Sequence, residues 1–151
     1  MVRHTAETYR EAAGEQLKLA IQLHTELGEY GAAHYWAGVA VECMLRAYRL
    51  REDPQFDSRH DLVALVKQAR LYDFVRPERA AELAGNLTEV ALRWSNDHRY
   101  RPSRLIERWL DDRGLLPRLR GDRMKYSSSR IVEAAVVVIT MGEQRWLSKK
   151  S

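Results

Sequence analysis

Apolar side chains recur every three or four residues along most of this chain, the spacing of helix faces rather than of strands. Tyr9, Ala13, Leu17, Ala20, Ile21 and His24 form one such stripe. It predicts a first helix that runs to about Leu27 and stops at Gly28. Thr8-Tyr9-Arg10-Glu11 has the form of a capping box at its start. Beyond the turn Gly28-Glu29-Tyr30-Gly31, the series Trp36, Val39, Ala40, Cys43, Met44, Ala47 and Tyr48 predicts a second helix over about 32–51. This is the expected centre of a bundle. Glu42 lies among its apolar positions, so it either points to solvent or takes a partner such as an arginine of a neighbouring helix.

A polar loop containing Pro54 comes next, then a short helix begun near Ser58-Arg59-His60-Asp61, with Leu62, Leu65, Val66 and Ala69 as its buried edge. Leu71, Tyr72, Phe74 and Val75 belong to a linker expected to plug one end of the bundle. Pro77-Glu78 suits the first turn of a helix whose face is Ala80, Leu83, Leu87, Val90 and Ala91. Pro102 stops or kinks any helix that carries His98, and Ser103 is placed to cap a helix over Arg104–Asp112. Gly114, Pro117 and Gly121 punctuate a basic connection at about 113–127, longer than a minimal bundle needs and suited to a partly mobile, functional loop. In the last segment Ile131, Ala134, Ala135, Val138 and Met141 keep helical spacing, although residues 136–140 alone would suit a strand. No partner strand is evident, so the expected fold is all-α: one domain over 1–151, an antiparallel up-and-down bundle of four to five main helices.

The 151 residues suffice for one proper core. The longest aliphatic run, Ala134 to Ile139, is far too short to span a bilayer, and the N-terminus lacks the apolar stretch of a signal peptide. The single cysteine, Cys43, cannot form an internal disulfide and reads as a small buried hydrophobe. These features suit a reducing cytoplasm and no membrane. Charge is unevenly spread. Residues 1–75 carry 9 Lys/Arg against 11 Asp/Glu, and residues 76–151 carry 16 against 10. Arg99, Arg101 and Arg104 open the basic segment and form a candidate nucleic-acid footprint. No zinc-like Cys/His spacing is present, so neither metal nor other cofactor is expected.

The candidate chemistry lies in Arg93-Trp94-Ser95-Asn96-Asp97-His98-Arg99-Tyr100. An arginine fits a phosphate with a bidentate fork, and a histidine exchanges protons near neutral pH. A bland reading of the window has Trp94 packed, Arg93 paired with Asp97 and His98 at a surface. On one straight helix, residues five apart lie about 140° from each other, so Arg93 and His98 would not share a face.

Arg93-x4-His98-x-Tyr100 resembles the signature of the HEPN superfamily, small helical bundles that include many prokaryotic ribonuclease toxins. Ala40-Val41-Glu42-Cys43-Met44-Leu45-Arg46-Ala47 is similar to the family's second helix, and His60-Asp61-Leu62 to the short helix start after it. The resemblance covers roughly Thr5 to Leu147. It implies a homodimer with the Arg/His motifs at a shared cleft and metal-independent cleavage of RNA through the 2'-OH. Arg93 would bind phosphate and stabilise the transition state, and His98 would transfer protons. Asn96 would orient either residue, and Asp97 would hold the imidazole or restrain Arg93. Tyr100 matches a tyrosine that a cognate nucleotidyltransferase antitoxin adenylylates in a toxin subgroup. Trp94 departs from the polar residue common after the arginine. Trp94-Ser95 with Arg99-Tyr100 is similar instead to relatives whose helices serve binding or partner docking without cleavage, which implies as the alternative a module that binds RNA, a nucleotide or a partner nucleotidyltransferase.

Overall fold

The computed structural model of the chain describes residues 4–56, 62–68, 75–118 and 121–149. Among these the fold is all-α. Its helices are α1 (Ala6–Thr25), α2 (Tyr30–Glu52), α3 (Leu62–Gln68), α4 (Ala80–Arg93), α5 (Ser103–Asp112) and α6 (Arg123–Lys149), with 3₁₀ turns at Pro77–Arg79 and Asn96–Tyr100. His60-Asp61, the start proposed for α3, and the linker residues Leu71, Tyr72 and Phe74 lie outside the described residues.

The long helix α2 is the axis of the bundle. It packs on α1 and α6 and also touches α3, α4 and α5. Small residues make this possible. Ala33, Ala37, Gly38, Ala40 and Ala47 are all buried, so neighbouring helices approach closely. Glu42 is buried rather than solvent-facing, and Arg46, one turn along the same helix, donates to it at 3.3 Å. Cys43 is half-buried, and burial pushes its thiol up to about 11, as befits an inert packing residue.

Several helix starts differ from the sequence pattern, and α2 itself begins at Tyr30, within the expected turn. Thr5, not Thr8, caps α1: its Oγ1 accepts from the Thr8 backbone N–H at 3.1 Å, one turn earlier than the expected box. Pro102, not Ser103, precedes the first residue of α5, and its fixed extended backbone sets the entry without a side-chain cap. Helix α6 begins at Arg123, with Asp122 Oδ1 accepting from Lys125 N at 3.0 Å, so the last part of the expected 113–127 loop is helical. The run 136–140 is helix too, with Ile131, Ala134, Ala135, Val138 and Met141 buried along one stripe. A second, smaller apolar cluster of Ile106, Leu110, Leu116 and Met124 seats α5 and the following connection beside the first turn of α2. No helix among the described residues is long and apolar enough to cross a membrane.

Candidate functional site

Helix α4 ends at Arg93, and the chain turns sharply there. Trp94 is extended (φ −108°, ψ 142°), and Ser95 caps the 3₁₀ turn that carries His98, its hydroxyl accepting from Asp97 N at 3.2 Å. The straight-helix geometry therefore does not apply, and Arg93 and His98 meet in one chain. The contact is not between their ionisable groups. The His98 Nε2 lies 3.2 Å from the Arg93 carbonyl oxygen.

The guanidinium of Arg93 faces the interior and is 7% exposed. Nε donates to Glu89 at 2.7 Å, and Nη1 donates to the Leu115 carbonyl and to Ser127 Oγ, each at 2.9 Å. Its ion partner is thus Glu89, one turn back on α4, rather than Asp97. Arg130 of α6 donates to the same Glu89 oxygen at 2.8 Å, and this bond together with Arg93's holds the carboxyl below its usual range despite partial burial.

Ser127 passes this network on. His34 is fully buried, with Nε2 at 2.8 Å from Ser127 Oγ and Nδ1 at 2.7 Å from the Tyr30 carbonyl. A carbonyl only accepts, so His34 Nδ1 carries the proton and Nε2 accepts from the serine hydroxyl. The donors then run in one direction, from Arg93 to Ser127 to His34 to the Tyr30 carbonyl. The order requires a neutral imidazole, and burial pushes His34 down to about 4. The serine and histidine lie at the spacing of a nucleophilic pair, but neither is exposed to solvent, so no substrate reaches them and their role is to fix the interior.

His98 is buried as well and packs edge-on against Trp109, with ring centroids 4.8 Å apart. Its Nδ1 accepts from Arg101 Nη1 at 3.1 Å, which leaves Nε2 as the protonated nitrogen donating to the Arg93 carbonyl. Burial, aided by the Arg101 charge and opposed by the bond to Arg93, pushes this imidazole down to about 4.

Trp94 fills a slot. Its ring stacks on Tyr35, and Nε1 donates to the Tyr35 carbonyl at 3.0 Å. The slot exists because residue 38 is glycine: a Cβ there would lie 1.9 Å from Trp94 Cδ1. Seven residues earlier, a Cβ at Gly31 would meet Ser103 Oγ at 2.6 Å. Two glycines two turns apart on one face of α2 thus admit the 94–106 segment at both ends. That spacing is visible in the sequence and marks the docking face, as does His34 between them.

The result is an open cleft of about 490 Å³ between the start of α2 and the turn after His98, lined by Tyr35, Trp36, His98, Arg99, Arg101 and Ser103 among others. Arg104 is exposed on the adjoining first turn of α5. Asn96 and Asp97 are exposed, and the Asp97 carboxylate lies 3.8 Å from Arg101 Nη2 rather than on the imidazole or Arg93. Tyr100 is 76% exposed, with Arg99 over its ring. Among the described residues no three His, Cys, Asp or Glu side chains converge as metal ligands. The structure therefore brings His98, Arg99 and Arg101 together at one cleft, holds Arg93 behind it, and adds Tyr35, which the sequence pattern leaves unassigned, and Trp36, which it assigns to the core. No family model, curated protein or solved structure matches the chain.

Proposed function

We propose that this chain is an RNA-binding helical domain whose contact surface is the cleft between α2 and the 98–104 segment. The observation that carries this reading is that Arg99 and Arg101 line one open cleft together with Tyr35 and Trp36. Single-stranded RNA is held by that combination: arginine forks on phosphates, and aromatic faces that take an unstacked base. Arg104 extends the positive surface beyond the cleft. The test is fluorescence polarisation with a labelled single-stranded RNA over a range of salt. Wild type should weaken steeply as salt rises, and the combined change Arg99→Ala, Arg101→Ala, Arg104→Ala should flatten the logarithmic slope by about 0.7 for each phosphate no longer neutralised. Salt-independent binding, or equal affinity in the triple variant, would remove this surface from consideration.

One observation favours a cleaving version of the same reading, in line with the HEPN resemblance. The His98 Nδ1 lone pair points at Arg101 in the cleft. A phosphate that draws Arg101 away leaves Nδ1 free to take the proton of a ribose 2'-OH. The 2'-oxygen then bonds to phosphorus as the bond to the 5'-oxygen breaks, and the leaving oxygen takes up a proton from solvent. The products are a 2',3'-cyclic phosphate and a 5'-OH. Arg101 would be the phosphate ligand, and Arg93 would position the imidazole through its carbonyl. Cleavage of RNA but not DNA in EDTA, lost in His98→Ala, would establish this version. Intact RNA would leave the binding domain. A homodimer would double the cleft, and light scattering reports it. The outward hydroxyl of Tyr100 is accessible to a partner nucleotidyltransferase of the kind the resemblance implies.

A further inference from the structure

At the opposite end of α4, a pocket of about 240 Å³ opens between the 3₁₀ turn and the C-terminal half of α6. Three arginines line it: Arg76 and Arg79 from the turn region, and Arg145 from α6. Gln144 and Ser148 add polar groups, while the buried side chains of Val75 and Met141 supply an apolar wall. Among the described residues the carboxylate paired with these arginines is Glu82, 3.1 Å from Arg79 where both are half-exposed. Arg145 Nε is shielded from solvent and meets no hydrogen-bond acceptor among the described residues.

Guanidinium groups stay charged at every physiological pH. Three of them line one concavity, and among the described residues Glu82 is the carboxylate paired with them, so the concavity is suited to an anion. The planar donor forks fit the oxygens of a phosphate group, and the apolar wall fits a carbon substituent on it. We propose that this pocket is a second ligand site, separate from the cleft, that takes the phosphate dianion of a small phosphate monoester. Arg145 and Arg76 hold the phosphate oxygens, and Val75 and Met141 contact the organic group.

The experiment is isothermal titration calorimetry of the full chain with inorganic phosphate, phenyl phosphate and sulfate. Phenyl phosphate should bind more tightly than inorganic phosphate, because only the ester reaches the apolar wall. Affinity for phenyl phosphate should rise as pH increases through about 6, where the ester loses its second proton, while sulfate binding stays level. Arg145→Gln should weaken phenyl phosphate at least about tenfold, the loss expected for a charged hydrogen-bond donor. Arg76→Ala, at an exposed position that the fold does not need, should weaken it in the same direction and decides the matter if Arg145→Gln fails to fold. The triple change at Arg99, Arg101 and Arg104 should leave phenyl phosphate binding unaltered, which separates this pocket from the cleft. No heat with phenyl phosphate, equal affinity for the ester and inorganic phosphate, or unchanged affinity in Arg76→Ala would overturn the proposal.

Discussion

The Nη1 of Arg101 stands 3.1 Å from the Nδ1 of His98, while Arg93 meets the same ring on its other side through a carbonyl oxygen. The arginine that faces this imidazole in the cleft is therefore the one three residues after it, not the one five residues before. The charge of Arg101 disfavours imidazolium, so Arg101→Ala should move the His98 midpoint upward from about 4. Loss of the covering side chain acts in the same direction by admitting water. An NMR titration of the ring carbons reads this directly, and an unchanged or lower midpoint would refute the coupling.

Arg93 should matter first to stability. Arg93→Ala leaves Glu89, Ser127 and the Leu115 carbonyl short of a donor, and breaking a buried pair of this kind costs about 3 kcal/mol. Arg104→Ala, at an exposed position, should stay within about 0.5 kcal/mol. Urea midpoints compare the two. If Arg93→Ala unfolds at the wild-type midpoint, its guanidinium serves a ligand rather than the fold.

Buried neutral histidines set the response to acid. His34 and His98 titrate near 4 in the folded chain and near 6.5 when unfolded. The unfolded chain thus binds more protons between those values, and stability must fall as pH drops through that window. Each histidine contributes up to about 3 kcal/mol to the loss. Denaturation curves at pH 7 and pH 4.5 should show the decline, and His34→Gln should show a smaller one. Equal declines in both proteins would mean that His34 protonates freely in the fold.

Glycine has opposite meanings at two helical positions. Gly38→Ala drives a methyl into the Trp94 ring and should cost about 1–3 kcal/mol, with tryptophan fluorescence shifted to the red as the ring leaves its slot. Gly14→Ala meets nothing within 4 Å on an exposed face of α1 and should gain about 0.5–1 kcal/mol. Thermal melts of the two variants should therefore move in opposite directions. A Gly38→Ala chain as stable as wild type would show that Trp94 does not need its slot.

Local patterns carried the fold further than the site. The stripe Leu83, Leu87 and Val90 is buried as its spacing implies, and the β-branched run at 136–140 is helical because its buried neighbours keep a period of three and four. Arg93 was less legible, because its partners Leu115 and Ser127 lie 22 and 34 residues away and reach it only through tertiary packing. The Arg93–His98 spacing implies opposite faces only on a continuous helix, and nothing in Trp94 itself announces that the helix ends there. The slot at Gly38 explains the break, since the ring must leave the helix axis to enter it.

Ser127 is the middle link between Arg93 and His34, and it belongs to α6. A ribosome delivers α2 and the 94–106 segment well before it delivers this serine. Until α6 docks, Arg93 lacks the hydroxyl that carries its bond on to His34, and the carbonyl that orients His98 lacks that brace behind it. The cleft should consequently mature late during synthesis, only once the residues of α6 have cleared the exit tunnel and docked.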